Sequence, residues 1–334
     1  MKSKKIKIAI IILIALFVLY LLSWLFDFSF SQKPNWGATF SELYAEELGL
    51  NWKDAYSAIL NDLNVKKIRL IAYWNRIEPE KGAANFADLD WQIAEAQKKN
   101  KEITLAVGFR VPRWPECHIP EWATNLPKEE FEKAVLAHSE TIVNRYKTNP
   151  AIKIWQVENE PLLSVFGRCP KPDINLLKKE IAFVKSLDLT RPVLITASGE
   201  LSPWFKEAGL SEIFGTTLYR VVWNKYIGYF RHFTPPTFYA LKAFSIKTFS
   251  RTKEVVIAEL QAEPWAPDLK PIAEIPFDEQ IKHFDANQLR YNLEFARKTG
   301  IKDIYLWGVE WWYYRKIHGD PNFWQTGKEI LNAN

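Results

Sequence analysis

The sequence predicts an α/β fold: a (β/α)8 (TIM) barrel preceded by a single N-terminal transmembrane helix. Two observations carry the barrel. After residue 35, short apolar β-rich runs alternate with helical patterns eight times, which means a parallel sheet with crossover helices. The remaining length suits a closed barrel, usually about 250 residues plus insertions. A third observation, the uncharged stretch Ile8 to Phe26, predicts the membrane helix, because about 20 apolar residues are needed to span a bilayer. An open doubly wound sheet is the alternative. It would normally carry a glycine-rich phosphate loop after its first strand, and the GATFS segment is not one.

Taken in order, Lys2, Lys4, Lys5 and Lys7 precede the apolar run, so the positive-inside rule puts the N-terminus in the cytoplasm. Trp24, Phe26, Phe28 and Phe30 follow where aromatic rings favour the outer interface. The run is longer than the core of a cleaved signal peptide, and only Ser29 and Ser31 make a weak small-residue site. An uncleaved anchor is therefore favoured over a cleaved signal. Either alternative places the rest of the chain outside the cytoplasm. Residues 1–30 are read as a lysine-rich stub and anchor, 31–35 as a short linker, and 36–334 as the barrel.

The strand candidates are Gly37–Ser41, Lys67–Tyr73, Ile103–Phe109, Ile152–Val157, Val193–Ala197, Glu212–Tyr219, Val255–Glu259 and Asp303–Trp307. Between them, Asn51–Leu63 opens on an Asn cap, and Phe86–Asn100 follows a glycine-containing loop. Lys128–Lys147 carries Phe131, Val135, Leu136, Ile142 and Val143 on one stripe. Ile174–Leu187, Pro235–Ser250 and Glu279–Lys298 complete the long helices, and Pro203–Ala208 and Gly327–Leu331 are short ones. Pro235–Pro236 falls where a first helical turn tolerates proline. The segment Tyr226–Phe249 is crowded with aromatics and carries Arg231, Lys242 and Lys247. It has two readings, a surface lying on the membrane or an ordinary barrel helix with its approach loop. The second is preferred.

The formal charge of +5 over the whole chain overstates the barrel's charge. Without the four N-terminal lysines and Asp27, 40 basic and 38 acidic residues remain. That balance, with no nucleic-acid motif, excludes a nucleic-acid partner. The five His form no H-x-x-x-H pair or Cys/His cluster, and no Walker-type loop appears. No metal, nucleotide or cofactor is expected. Fifteen Trp are present. Most are expected in packing, but a flat apolar face with one donor also suits a sugar ring.

In such a barrel the strand C-termini carry the active site. Two strands end in carboxylates. The fourth run leads into Trp155-Gln156-Val157-Glu158-Asn159-Glu160-Pro161, and the seventh ends at Glu259. Glycoside hydrolysis needs two carboxyl groups flanking one bond. WQVENEP and VVIAEL resemble the strand-four and strand-seven signatures of clan A retaining glycoside hydrolases, the TIM barrels of families 5, 39 and 42. WNRIEPEKGAANFADLDWQIAEA, from Trp74 to Ala96, resembles the region after strand two in families 42 and 39.

The resemblance implies that Glu160 is the acid/base and Glu259 the nucleophile. It also implies that Asn159 binds the sugar 2-hydroxyl, Arg69 and Tyr219 support Glu259, and Trp307 lies under the reacting sugar. It implies a retaining reaction with carboxyl groups about 5–5.5 Å apart. Glu160 is then expected to have a raised pKa from the neighbouring Glu259 charge. Glu158 and Glu263 are rival carboxylates, read as support and substrate contact. Trp311 and Trp265 lead the mouth aromatics, before Trp114, Trp122, Trp204, Trp223 and Trp312.

Cys117 and Cys169 fall in the loops after strands three and four. They are expected to form a disulfide, two separate thiols being the alternative. The expected partner is an extracytoplasmic oligo- or polysaccharide, and the linkage expected to be cleaved is β-configured. A transglycosylase would use the same residues. A non-catalytic carbohydrate-binding barrel is the third reading, although a binder has no need of the carboxylate pair.

Overall fold

A computed structural model describes residues 2–332. The outer limits of the stub and barrel, at residues 1 and 334, lie outside the described residues. Ten strands are present among them: β1 (Asn35–Thr39), β2 (Lys67–Ile71), β3 (Glu102–Val107), β4 (Ile152–Val157), β5 (Val193–Ala197), β6 (Ile213–Leu218), β7 (Val221–Asn224), β8 (Gly228–Arg231), β9 (Glu254–Gln261) and β10 (Asp303–Trp307). Eight of them close a parallel barrel in the order β1-β10-β9-β6-β5-β4-β3-β2. The (β/α)8 topology expected from the alternating pattern is the one observed. The other two, β7 and β8, form an antiparallel hairpin inserted after β6. This hairpin was not anticipated, because its run of aromatics reads equally well as a loop.

Helices α1 (Lys2–Ser23), α2 (Glu42–Glu47), α3 (Trp52–Asp62), α4 (Trp74–Ile77), α5 (Ala87–Lys98), α6 (Glu121–Thr124) and α7 (Lys128–Tyr146) occupy the first half. The second half holds α8 (Ile174–Leu187), α9 (Phe205–Ala208), α10 (Pro236–Phe249), α11 (Phe277–Ile281), α12 (Ala286–Lys298), α13 (Val309–Ile317) and α14 (Asn322–Asn332). Local chemistry sets their starts. The Asn51 side chain accepts from the Lys53 amide, and Asp173 accepts from Asn175 and Leu176, as N-caps do. Glu279–Lys298, expected as one helix, is two. Asp285 takes extended backbone and caps the Gln288 amide, starting α12 afresh.

Helix α13 is the second departure. It begins directly after β10, at Gly308, whose φ of +111° leaves no room for a side chain against Glu263. Its inner face carries Trp311 and Trp312 into the core. The N-terminal α1 is the one described helix long and apolar enough to cross a membrane, over Lys4–Ser23.

Gly327 in α14 lies against the buried Trp312 ring, and a Cβ built there would fall 2.3 Å from that ring. Alanine normally gains about 1 kcal/mol over glycine inside a helix. Here the fully enclosed indole cannot move aside, and overpacking costs about 1–3 kcal/mol. Gly327→Ala is expected to lower the urea midpoint rather than raise it; a higher midpoint would show that the contact is loose.

Candidate active site

The mouth of the barrel opens into a cavity of about 530 Å³ lined by Glu116, Glu160, Tyr219, Glu259, Glu263 and Trp307, among others. Arg69, on β2, is the hub beneath it. Its side chain is 1% exposed. Nε donates to Gln156 at 2.7 Å, Nη2 to Asn159 Oδ1 at 2.7 Å, and Nη1 to the Ala258 carbonyl and Glu259 Oε1 at 3.2 Å each. The other oxygen of Glu259 accepts from the Tyr219 hydroxyl at 2.9 Å. Burial, then the Glu259 charge, push the Tyr219 hydroxyl well above its usual range, so it serves as a neutral donor.

Glu259 is not the last residue of its strand, as the sequence suggested. β9 continues to Gln261, and its register slips at Ala258: Thr216 pairs with Ile257 but Thr217 pairs with Glu259. A bulge of this kind re-aims a side chain. Gln261 then accepts from the Arg220 and Val221 amides and donates to the Val221 carbonyl. It thereby fixes the base of the β7–β8 hairpin beside Glu259.

The end of β4 is unusual. Glu158 and Glu160 both adopt positive φ, +61° and +45°, a region costly for residues with side chains. Between them, Asn159 Oδ1 accepts from Arg69, Thr196 and Gln156. With its oxygen saturated, the Asn159 amide nitrogen donates to the cavity-lining Glu116 at 3.2 Å. The Glu160 amide donates to Thr196. Burial, followed by the charges of Glu259 and Glu116, raises the Glu160 pKa well above the carboxylate range.

Glu158 does not face the cavity. It is buried and accepts from the Phe109 and Arg110 amides at 2.9 and 2.8 Å, tying the end of β3 to β4. Gly108 leaves the space it fills. Glu263 does reach the cavity, where it pairs with Arg113 at 2.5 Å.

Two groups were not legible in the sequence. Arg113 projects from the loop after β3. Its guanidinium lies 3.7 Å from the Tyr44 ring centre and 4.1 Å from that of Trp307, and it also pairs with Glu310 at 3.3 Å. Glu116 is a third carboxyl in the cavity, raised to about 8 by burial and by the Glu259 charge. Both residues have positive φ and lie in the loop carrying Cys117. Nothing in that loop's composition distinguishes these two from solvated charges. Cys117 is bonded to Cys169, joining the loops after β3 and β4.

Among the aromatics, Trp307, Trp265, Trp114 and Trp223 line the cavity. Trp265 stands edge-on to Tyr219. Trp311, ranked first with Trp265 from the sequence, does not line it. It is fully buried on α13, donates to Gln280, and packs on Phe323. Trp312 and Trp204 are likewise enclosed. Trp122 donates to the Glu78 carbonyl and packs on Trp74, outside the cavity lining.

Residues 91–230 match the family model described as glycosyl hydrolases family 2, TIM barrel domain. Over 119 residues the chain is 32% identical to mannan endo-1,4-beta-mannosidase F of Aspergillus clavatus, covering 32% of this chain and 26% of that protein. Over 159 residues it is 27% identical to the probable mannan endo-1,4-beta-mannosidase F of Aspergillus oryzae, covering 42% and 32%. The match thus spans about a quarter to a third of these relatives' length.

Among solved structures, GH5_18 from Bifidobacterium longum superposes with a TM-score of 0.62 at 13% identity, over 90% of this chain and 79% of that one. Xylanase 10B from Thermotoga petrophila, in complex with xylobiose, gives 0.56 at 16%, over 90% and 94%. At such identities these neighbours speak for the fold. The family match, over residues 91–230, is to a glycosyl hydrolase TIM barrel domain, the same barrel fold.

Glu116 holds a proton in the folded state that it has lost in the unfolded chain between about pH 4.5 and its folded value of about 8. Over that window the folded state binds more protons, so its contribution to stability falls as pH rises. Glu116→Gln is expected to flatten this decline. Urea midpoints of both proteins should lie closer at pH 5 than at pH 8, with the variant the more stable at pH 8. Parallel curves would place the Glu116 proton elsewhere.

Proposed function

We propose that this chain is a retaining glycoside hydrolase acting on an extracytoplasmic oligo- or polysaccharide, with residues 1–30 as its membrane anchor. The observation that carries this reading is the asymmetry of two buried carboxyls sharing one cavity. Glu259 is held by a guanidinium and a phenol, while Glu160 has no cation bonded to it and is pushed toward its protonated form. Environments that separate two carboxyls in this way assign acid and nucleophile.

In this reading Glu160 donates its proton to the glycosidic oxygen as the Glu259 carboxylate attacks the anomeric carbon. The C–O bond to the leaving group breaks and an ester to Glu259 forms. Once the Glu259 charge is consumed, the Glu160 pKa falls. Glu160 then takes a proton from the incoming water as the water oxygen bonds the anomeric carbon and the ester bond to Glu259 breaks, which releases the sugar and restores the carboxylate. Arg69 and Tyr219 hold Glu259 in line, and the amide nitrogen of Asn159 offers a donor to the sugar beside it. Trp307 and Trp265 supply apolar faces. The mannanase relatives make β-1,4-mannosides the first substrates to test.

The full chain in detergent, assayed on aryl β-mannosides, glucosides, galactosides and xylosides and on the matching β-glycans, tests the assignment. Glu259→Gln is expected to lower kcat by roughly 10³-fold or more, and Glu160→Gln by about 10²–10⁴-fold. If both variants keep full activity on a cleaved substrate, the assignment is wrong and Glu116 with Glu263, the other carboxyls lining the cavity, becomes the pair to examine. Binding of a glycan without cleavage by the wild type would favour the carbohydrate-binding reading.

A further inference from the structure

We propose that the barrel sits with its mouth against the bilayer, the tip of the β7–β8 hairpin and Phe233 resting in the headgroup region. The inference rests on reading α1 as a membrane-spanning helix. The path of the chain gives the direction. Phe28 donates to the Lys298 carbonyl, at the end of α12, which is the floor of the barrel because α12 runs antiparallel to the strands. One turn higher on α12, Phe295 packs on Trp24. The Thr237 hydroxyl, in the first turn of α10, donates to the Ser23 carbonyl. The Tyr20 hydroxyl reaches the Phe233 carbonyl, just ahead of α10. Residues 28 to 20 therefore climb the outside of the barrel from floor to mouth, and α1 leaves on the mouth side.

Length then forces the surfaces together. The apolar part of α1 beyond these contacts, Ile8 to Leu19, is about 18 Å long at ~1.5 Å per residue. The hydrocarbon core is about 30 Å thick. The rest of the apolar run, Tyr20 to Phe26, lies beside the barrel. For the run to fill the bilayer, the rim at Phe233 and Thr237 must sink to the interface.

That rim is built for it. Tyr226 is 80% exposed, Ile227 68% and Phe233 77%. From Arg220 to Thr237, the hairpin and its approach to α10, the chain carries Lys225 and Arg231 and no acidic residue. Aromatics with lysine and arginine suit an anionic lipid surface. The helix of this segment packs on the barrel in the ordinary way, with Tyr239, Ala243 and Ile246 buried, and the membrane-surface reading applies only to the hairpin tip and Phe233, whose apolar side chains are turned outward. Trp223, Asn224 and Phe230 of the same hairpin line the catalytic cavity, so seating the tip in the headgroups brings the cleft down to glycans at the lipid surface.

Depth-dependent quenching on the full chain tests this. The native cysteines are paired, so Ile227→Cys can carry a single environment-sensitive fluorophore. Leu189→Cys, 76% exposed in the loop entering β5 at the barrel floor, is the control. Both are reconstituted in phosphatidylcholine–phosphatidylglycerol vesicles with doxyl-labelled lipid. Quenching at least twofold stronger at position 227 than at 189 is expected. Equal quenching, in vesicles that retain the chain through an alkaline carbonate wash, overturns the orientation while leaving the anchor intact. Loss of the chain in that wash removes the anchor reading itself, and the orientation with it.

Discussion

A guanidinium buried inside the barrel is the constraint on which the site depends. An arginine enclosed in protein is tolerable only with its donors matched by acceptors. Arg69 finds them on four residues of two strands: the Gln156 and Asn159 side chains from β4 and its end, and Glu259 with the Ala258 carbonyl from β9. Those strands lie far apart in the sequence and on different sides of the barrel. The need to satisfy one cation therefore sets the positions of the residues at their ends. The bulge at Ala258 belongs to the same arrangement, since it frees a carbonyl for Arg69 and turns Glu259 inward in one step.

The two sides of the cleft are built differently. On one side the loops after β3 and β4 are welded together. Arg110 donates to the Asn159 and Phe166 carbonyls, Glu158 receives two amides, and Cys117–Cys169 closes the outer edge. The positive φ values at Arg113, Glu116, Glu158 and Glu160 are held within this weld. The other side is the hairpin, whose base is held by Gln261 and whose strands are tied down by Tyr229, donating to the Trp265 carbonyl, and by Arg231, donating to Gln288. A rigid wall thus carries the carboxyl proposed to move protons, and a projecting one faces outward.

Much of this was legible in the sequence, for a physical reason. Strands buried on both faces of a parallel barrel read as apolar runs, and their alternation with amphipathic helices leaves few topologies. Glu160 and Glu259 could be marked as candidates because they stand at the ends of strand runs, where position follows from topology, while Asn159, Arg69, Tyr219 and Trp307 were marked only by the resemblance of their motifs to a known family. Arg113 and Glu116 could not, because loop geometry after β3 is set by tertiary contacts and leaves no periodic trace. Trp311 was misplaced for the opposite reason. Its nearness to β10 suggested the rim, but α13 starts at once after Gly308 and helical periodicity turns the indole inward.

The pairing of β1 with β10 has a consequence for biosynthesis. β1 is the first strand to leave the ribosome, yet one of its two edges is covered only by Asp303–Leu306, made about 270 residues later. At ~5–20 residues per second, that edge waits roughly 13 to 54 seconds for its partner. Throughout that interval a short strand with unpaired amides and carbonyls stands exposed. The nascent chain must stay unaggregated for most of its own translation before the ring can shut.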